Sequence, residues 1–340
     1  MKEKICAVVV TYNRKDLLVE CLNALKNQTY PLDGIYLIDN GSTDGTQELL
    51  MKEGWITEIV SNKSNEPIEK IFLSNNDKFM FYYIRIEKNC GSSGGFYEGI
   101  KRAYEKGYDW IWVMDDDALP KLDASEKLVE FKDDSLAAIC SVVVKRDTNE
   151  IDLMHRRIFN KWTLKEKPVS LENYQRKYFY FNEFSYVGTL INSKAIKLYG
   201  FVDKSFFVVY DDTEHSLRLS KYGKMICVTS SHIFHGPKSK SETKTKTYDY
   251  KTYYAVRNYI FVLKKYGNPF MFFFYIKYYK MRNYASKILK IRDEVIYNLH
   301  KKAIIDGSKG NLGIKMLYLP NAWTHIKNVK VSSKRRETNG

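Results

Sequence analysis

Residues 5–14 read ICAVVVTYNR, a run of apolar and mostly β-branched residues that ends in polar side chains. A continuous apolar run of this length predicts a buried strand, and the polar residues after it predict a turn. Beyond the turn, leucine or cysteine recurs at positions 17, 18, 21, 22 and 25, which is the spacing of one helix face. The beginning of the chain therefore predicts a strand, a turn and a helix in succession.

The same pattern repeats farther along the chain. The predicted elements are a strand at 35–38, a turn rich in helix caps at 39–45 (DNGSTDG), a helix at 46–52, a polar and irregular excursion at 61–78, a strand at 81–86, a Gly-rich turn, a helix at 95–106 and a strand at 110–114. Strands that alternate with helices predict an α/β fold with a largely parallel sheet. In such folds ligands bind at the carboxyl ends of the strands.

The second half of the chain gives a weaker pattern. Its predicted elements are a strand at 141–145, a charged and irregular segment at 146–177, helices at 193–199 and 212–221, and a strand at 225–228. From residue 253 to 290 we predict two or more amphipathic helices, broken at Gly267-Asn268-Pro269. The final residues, 329–340, form a basic tail.

The composition limits the class of protein. The 340 residues include 55 Lys and Arg against 40 Asp and Glu, a formal charge of +15, which favours nucleic acid, anionic lipid or a phosphorylated substrate as partner. Five scattered cysteines without paired metal-type spacing indicate a reduced, cytoplasmic protein. The N-terminal apolar run is too short for a signal peptide, and the longest apolar run, 270–276, is too short to span a bilayer. We therefore expect a cytoplasmic protein that does not cross a membrane but can lie on one.

Three consecutive carboxylates, Asp115, Asp116 and Asp117, follow an apolar strand in the stretch WVMDDDA at 112–118. Crowded carboxylates repel one another and are costly to bury unless a cation lies among them. Oxygen ligands of this kind suit Mg²⁺ or Mn²⁺, and such an ion would bridge a diphosphate and neutralise the charge that develops as it leaves. The competing interpretation is a solvated acidic turn, which the apolar strand before it disfavours.

Three weaker signals accompany this motif. The Gly-rich turn NCGSSGGF at 89–96 lets backbone N–H groups approach a phosphate or ribose, although an ordinary loop fits it equally well. In YDDTEHSLR at 210–218, Asp212 is either a general base or an acid that caps a helix. His232 and His235 would lie on opposite faces of a continuing strand, so at most one of them can complete a metal site.

These motifs, in this order, resemble those of the family 2 glycosyltransferases of GT-A fold, over roughly residues 4–240. The resemblance implies a Rossmann-like, mostly parallel central sheet flanked by helices. The length of the chain and the helical pattern beyond residue 253 add a C-terminal helical extension. The turns at 11–14 and 39–46 look like the family's nucleotide-binding segments, in which Asp39 would contact the uracil or another base. The residues expected to contact the donor are Thr11, Tyr12, Arg14, Asp39, Asn89, Gly91, Gly94, Gly95, Asp115 and Asp116.

The resemblance also assigns catalytic roles. The triple Asp matches the D-x-D metal motif of the family, so Asp115 and Asp117 would hold Mn²⁺ or Mg²⁺ and Asp116 would face the donor. Asp212 matches the base that deprotonates the acceptor hydroxyl in an inverting transfer. In the galactofuranosyltransferase subgroup, the histidine that matches His235 is the third protein ligand of the metal.

Within the family, the GSSGGF turn, the acidic motif and the Ile-Phe-His ending look most like bacterial galactofuranosyltransferases and secondarily rhamnosyltransferases. The resemblance implies a UDP-galactofuranose donor, with dTDP-rhamnose as the alternative, and a lipid-linked or polysaccharide acceptor in capsule or O-antigen synthesis. It implies a catalytic domain at 1–240, with a donor-binding half at 1–120 and an acceptor-binding half at 121–240. A helical region at 241–328 and the basic tail at 329–340 would follow.

The helical region mixes aromatic side chains with Lys277, Lys280 and Arg282. This mixture is typical of a helix at a membrane interface, and it also fits a helix packed on the catalytic domain. A lipid-linked acceptor at the inner face of the cell membrane would explain the basic charge, because anionic lipid attracts basic residues by about 1 kcal/mol each. Two other classes compete: a nucleic-acid-binding protein, which leaves the three carboxylates unexplained, and an inactive membrane-bound scaffold, which leaves the full set of acidic motifs unexplained. We therefore expect a nucleotide-sugar donor, a glycan acceptor and no nucleic acid.

Overall fold

A computed structural model describes residues 3–60, 67–74, 77–236 and 249–319 of the chain. The described residues form two compact units: the first comprises residues up to 159 with 165–203 and 212–236, and the second comprises 160–164, 204–211 and 249–319. The basic tail at 329–340 lies outside the described residues. The division of the chain near residue 240 into a catalytic domain and a helical region stays a prediction.

The first unit is built on β-sheet. The strands are β1 (Ile5–Thr11), β2 (Gly34–Asp39), β3 (Ile68–Ser74), β4 (Asp77–Arg85), β5 (Trp110–Asp115), β6 (Leu119–Pro120), β7 (Leu136–Lys145), β8 (Arg156–Asn160), β9 (Lys165–Pro168), β10 (Tyr178–Phe181), β11 (Glu183–Phe184), β12 (Thr189–Asn192) and β13 (Lys224–His235). Within the described chain, one large sheet has the order β10-β13-β7-β12-β5-β1-β2-β4-β3, with β6 paired to β13. A small sheet has the order β11-β8-β9.

The centre of the large sheet is parallel, as the alternating pattern predicts. Strands β4, β2, β1 and β5 all run in the same direction. In their registers Thr11 lies opposite Asp39, and Val10 lies opposite Asp115. The polar segments that follow β1, β2 and β5 therefore meet at one edge of the sheet.

Helices cover the sheet and complete the α/β fold. They are α1 (Lys15–Lys26), α2 (Thr46–Lys52), α3 (Gly91–Glu105), α4 (Ala124–Val129), α5 (Ser193–Tyr199) and α6 (Asp211–Leu219). Helix α3 lies very close to β1, because a Cβ added to Gly95 would be 2.5 Å from Val10 Cγ1, and one added to Gly99 would be 2.4 Å from Val8 Cγ1. Glycine at these positions lets the helix approach the sheet that carries the site.

Several elements differ from the sequence prediction. Residues 68–74 form the edge strand β3 rather than an irregular excursion, and residues 156–160 and 165–168 form strands inside the segment predicted to be irregular. The sequence hides such strands because they are short or partly exposed: Leu73 on β3 is 63% exposed, so no continuous apolar run marks the strand. Helix α3 begins at Gly91 rather than Gly95, and β13 continues to His235.

The second unit is helical. It contains α7 (Lys251–Tyr266), α8 (Pro269–Ile288) and α9 (Glu294–Lys309). Helix α9 lies within the region expected to be helical, although the sequence pattern did not mark it as a separate helix. The predicted break is confirmed, because α7 ends before Gly267 and Asn268 caps α8 by accepting hydrogen bonds from the two amides at 270 and 271, at 3.0 and 3.2 Å. No helix in the described ranges is both long and apolar enough to span a bilayer.

A strained loop in this unit leads up to α6. Phe207, Val209 and Tyr210 have φ values of 68°, 65° and 67°, a region that bulky and β-branched residues rarely adopt. The buried amide of Asn258 donates to the backbone carbonyls at 206, 208 and 209, at distances of 2.7 to 3.2 Å. These three hydrogen bonds offset the strain and fix the conformation of the loop.

Candidate active site

The acidic motif lies at the carboxyl end of β5, at the edge where the polar turns meet. The Asp115 side chain is 41% exposed, whereas Asp117 is buried. His235, at the end of β13, reaches the same place: its Nε2 lies 3.2 Å from Asp117 Oδ1 and 4.0 Å from Asp115 Oδ2. The structure thus brings together a histidine and two carboxylates that stand more than a hundred residues apart in sequence.

These three side chains fit a divalent cation. One ligand atom from each of Asp115, Asp117 and His235 lies within 4.8 Å of the others. Asp117 Oδ1 is buried and accepts no hydrogen bond of good geometry from the residues that the structure describes, so a strong oxygen ligand is available at the centre of the group. Two carboxylates and one imidazole are ligands that Mn²⁺ binds readily, and Mg²⁺ accepts the carboxylates.

The pKa values of the three carboxyl groups also reflect how little positive charge lies among them. Although the Asp115 side chain is partly exposed, loss of hydration within the cluster raises its pKa to about 6, and the charge of Asp117 adds to this effect. Burial raises the pKa of Asp116 to about 7. Burial also disfavours the Asp117 anion, but the neighbouring His235 and Arg14 outweigh it and hold the Asp117 pKa below its ordinary value. A cation among these carboxyl groups would stabilise their ionised forms.

Asp116 points towards the turn after β1. Its Oδ2 accepts a 2.7 Å hydrogen bond from Thr11 Oγ1 and a longer one, 3.4 Å, from the Tyr12 amide. Arg14 Nη1 donates to Asp117 Oδ2 at 2.8 Å, and half of the Arg14 side chain is exposed. Thr11, Tyr12 and Arg14, all predicted to bind the donor, therefore lie next to the predicted metal ligands.

Asp39 at the end of β2 is completely buried and holds the second turn. Its Oδ1 accepts the Ser42 amide at 2.8 Å, and its Oδ2 accepts bonds from Tyr83 Oη at 2.8 Å and Arg85 Nη1 at 2.9 Å. The residue thus has a structural role in shaping the turn. Its contact with a nucleotide base stays a prediction.

The Gly-rich segment begins α3 and is joined to the second turn by Asn40. The Asn40 amide donates to Asn89 Oδ1 at 3.2 Å and to the Gly91 carbonyl at 2.9 Å. Gly91 has a φ of 77°, and a Cβ on Gly94 would lie 2.4 Å from the Cys90 Sγ. Close packing alone requires glycine at 94 and 95, so their contact with the donor stays a prediction.

Asp212 lies in the first turn of α6. Its Oδ1 accepts the Thr213 amide at 2.7 Å, and its side chain remains partly exposed. Burial raises the pKa of Asp212, and the positive charge of Arg157 opposes this rise. The Asp212 charge also contributes to the raised pKa of Asp115, so the candidate base and the candidate metal site lie within electrostatic range of each other.

The family model named Glycosyl transferase family 2 matches residues 6–199, which contain the turns after β1 and β2 and the acidic motif. The chain belongs to glycosyltransferase family 2. It is therefore a nucleotide-sugar glycosyltransferase with a GT-A fold, and the fold predicted from the sequence is confirmed.

Two relatives illustrate the range of this family. The galactofuranosyltransferase GlfT1 of Mycolicibacterium smegmatis is 26% identical over 242 residues, which span 68% of this chain and 70% of that protein. The dTDP-rhamnosyl transferase RfbF of Shigella flexneri is 24% identical over 321 residues, 92% of each chain. Among solved structures, a mannosyltransferase from Pyrobaculum calidifontis in complex with GDP-Man and Mn²⁺ is 15% identical with a TM-score of 0.49. The match covers 76% of this chain and 63%, less than two thirds, of that structure.

Several residues near the site of this family 2 glycosyltransferase have no signal in the sequence. His155 packs edge-on against the His235 ring, at 5.1 Å between centroids, and Arg157, Glu166 and Glu183 form a charged cluster near Asp212. They stand alone among other polar residues, so no motif marks them. His232, by contrast, donates from Nδ1 to the Ser230 carbonyl at 3.1 Å and is absent from the metal-binding group.

Proposed function

We propose that this protein is an inverting, metal-dependent glycosyltransferase that uses UDP-galactofuranose and acts on a lipid-linked or polysaccharide acceptor in cell-surface glycan synthesis. The observation that carries the proposal is the arrangement of Asp115, Asp117 and His235 at one edge of the sheet, with Asp212 in electrostatic range. This arrangement supplies a place for a cation and a separate carboxylate base.

The reaction divides between these residues. Asp115, Asp117 and His235 would hold Mn²⁺ or Mg²⁺, which supplies charge stabilisation for the departing diphosphate. Asp212 accepts the proton of the acceptor hydroxyl as that oxygen forms its bond to the anomeric carbon. The bond between this carbon and the diphosphate oxygen breaks, and its electron pair leaves with the nucleotide. Attack from the face opposite the leaving group inverts the anomeric centre.

The donor side involves the first turn. Arg14 is half exposed and lies against Asp117, so its guanidinium is placed to bind a phosphate that approaches the cluster. Asp116 is tied to Thr11 and orients the same turn. The Gly-rich start of α3 adds backbone amides near the same edge, where the positive end of a helix attracts phosphate.

The choice of sugar is drawn from the relatives. GlfT1 is named a galactofuranosyltransferase and RfbF a dTDP-rhamnosyl transferase, and the sequence motifs favour the first. Thermal unfolding with UDP, UDP-galactofuranose, dTDP-rhamnose and single-stranded RNA, each with and without Mn²⁺, tests the proposal. We expect Mn²⁺-dependent stabilisation by the uridine ligands. Stabilisation by dTDP-rhamnose alone would make the enzyme a rhamnosyltransferase, and stabilisation by RNA alone would contradict the transferase proposal.

We further propose that the protein acts in the cytoplasm at the inner face of the membrane, through α8. The segment 269–292 has six Lys or Arg, counting Arg292, and no acidic residue, and the buried residues of α8 are the polar Asn283 and Ser286. The exposed apolar side chains are Phe270, Met271, Phe273, Phe274, Tyr278, Met281, Tyr284, Ile288, Leu289 and Ile291. An outward face of aromatic and basic residues matches an anionic lipid surface.

Vesicle sedimentation tests this membrane contact. We expect the protein to sediment with vesicles that contain anionic lipid and to remain in solution with neutral phosphatidylcholine vesicles. Reversing Lys277 and Lys280 to Glu should abolish sedimentation, whereas reversing the exposed Lys52 and Lys197 should leave it intact. Equal loss in both variants would indicate a non-specific charge effect and would exclude α8 as the contact.

A further inference from the structure

The small three-stranded sheet carries one charged residue on each strand near Asp212. Arg157 lies on β8, Glu166 on β9 and Glu183 on β11, with Arg157 and Glu183 directly paired in the register. Arg157 forms ion pairs with both acids, with Nη1 3.6 Å from Glu166 Oε2 and Nη2 against Glu183 Oε1. The three side chains are nearly buried, at 17%, 12% and 0% exposure for Arg157, Glu166 and Glu183.

Thr213 connects this cluster to the candidate base. Its hydroxyl donates to Glu183 Oε1 at 2.9 Å and accepts from Arg157 Nη2 at 3.1 Å. Its backbone amide donates to Asp212 Oδ1 at 2.7 Å. The cluster thus fixes Thr213, and Thr213 fixes the orientation of the Asp212 carboxyl group.

The charges of the cluster do not balance if every acid is ionised. Asp212, Glu166 and Glu183 face one guanidinium, and Asp115 on β5 adds a further negative charge towards Asp212. Glu166 Oε1 and Glu183 Oε2 are buried and have no hydrogen-bond partner among the described residues. Two unpaired anions in such a place would be costly, so the cluster is more stable when one acid is protonated.

Burial favours Glu183 as the protonated member. This residue is the most buried of the acids, and burial raises its pKa to about 8, whereas Arg157 and Thr213 oppose the rise. Burial also raises the pKa of Glu166 and of Asp212, and Arg157 lowers both. With Glu183 neutral, the charge of Arg157 is available to keep Asp212 ionised.

We propose that Arg157 and Glu183 are positioning residues for the transfer reaction: Glu183, as a neutral carboxylic acid, holds Thr213, and Arg157 supplies the positive charge that keeps the Asp212 base ionised. This inference rests on the proposed role of Asp212 as the base. It assigns a function to the small sheet, which supports the first turn of the helix that carries the base.

The test is an NMR titration of the side-chain carboxyl groups of the full chain, labelled with ¹³C in Asp and Glu. Asp212→Asn and Glu183→Gln assign the two signals. We expect Glu183 to titrate near pH 8. Arg157→Gln should move the Asp212 midpoint upward by about one pH unit, and Arg157→Lys should largely restore it. Arg218→Gln is the control, because Arg218 pairs with Glu214 on the same helix, at 2.9 Å, and should leave the Asp212 midpoint in place.

Two results would overturn the inference. One is an Asp212 midpoint in Arg157→Gln equal to that of the wild type, and the other is titration of Glu183 in the ordinary carboxyl range. The titration needs no donor, so it is independent of the proposed function. Absence of donor binding by the wild type would remove the proposed function, whereas unmoved midpoints together with intact donor binding would remove the positioning role alone.

Discussion

Replacing Asp116 by Asn should make the metal-free protein more stable, and the gain should grow with pH. Asp116 is 3% exposed, and burial raises its pKa to about 7, from an ordinary value of 3.8. A carboxyl group whose pKa is raised on folding favours the native state at low pH. That contribution disappears as the pH rises from the unfolded pKa through the folded one. The ionised Asp116 therefore destabilises the protein at neutral and alkaline pH, and the Asp116→Asn substitution would remove this penalty.

The size of the effect follows from the shift. A difference of about three pKa units corresponds to about 4 kcal/mol above pH 8, and about 2.5 kcal/mol of it develops between pH 5 and pH 8. Asn can still accept the hydrogen bond from Thr11, but it loses the 3.4 Å ion pair with Arg14. That pair involves a half-exposed guanidinium, so its loss should cost less than about 1 kcal/mol.

Urea unfolding in EDTA at pH 5 and pH 8 measures this prediction. The stability of Asp116→Asn minus that of the wild type should rise by about 2.5 kcal/mol between the two pH values. Asp147→Asn removes the same charge at an exposed position and should show no such rise. A difference that is the same at both pH values would refute the assignment of a buried, destabilising carboxylate at this position.

Three further predictions concern the base, the metal and the fold. Asp212→Asn should lower turnover by about 10²- to 10⁴-fold while donor and Mn²⁺ still raise the melting temperature, and a variant with nearly wild-type turnover would exclude Asp212 as the base. His235→Ala should raise the Mn²⁺ concentration for half-maximal stabilisation at least about tenfold, whereas His232→Ala should not change it. Gly95→Ala should lower the free energy of unfolding by about 1–3 kcal/mol, because its Cβ would lie 2.5 Å from Val10 Cγ1, and an unchanged urea midpoint would contradict this close packing.

The parallel centre of the fold could be predicted because its strands are buried on both faces and read as continuous apolar runs. Ile5–Thr11 and Trp110–Asp115 are of this kind, and the polar residues after them mark the edge where the site lies. Because both faces of these strands are buried, their apolar runs can be recognised without knowing how the rest of the chain folds. Among the described strands, the edge strand Ile68–Ser74 pairs only with β4, and it has an exposed face, so its sequence resembles a loop.

The charged cluster around Arg157 could not be predicted, for a different reason. A lone Arg or Glu on a short strand is equally compatible with a solvated surface, and only the pairing of strands far apart in sequence shows that these charges face one another. The residue pattern alone also left the choice between His232 and His235 open, and only the resemblance to the family favoured His235. The choice depends on the continuation of β13 past a register shift between Val228 and His232, which is a property of the sheet.

The negative charge of the site predicts that a nucleotide diphosphate and a divalent cation bind cooperatively. Asp115, Asp116 and Asp117 face mainly Arg14 and His235, and Asp212 adds negative charge from α6. A nucleotide diphosphate would bring more negative charge into a region much smaller than the Debye length, where salt screens little. The affinity of the diphosphate for the protein alone should therefore be weak, and a divalent cation should strengthen it.

Because coupling between two ligands is reciprocal, UDP must lower the Kd of Mn²⁺ by the same factor by which Mn²⁺ lowers the Kd of UDP. A strong effect of Mn²⁺ on UDP binding thus predicts an equally strong effect of UDP on Mn²⁺ binding, since the protein ligands by themselves leave part of the coordination sphere of the ion to the diphosphate.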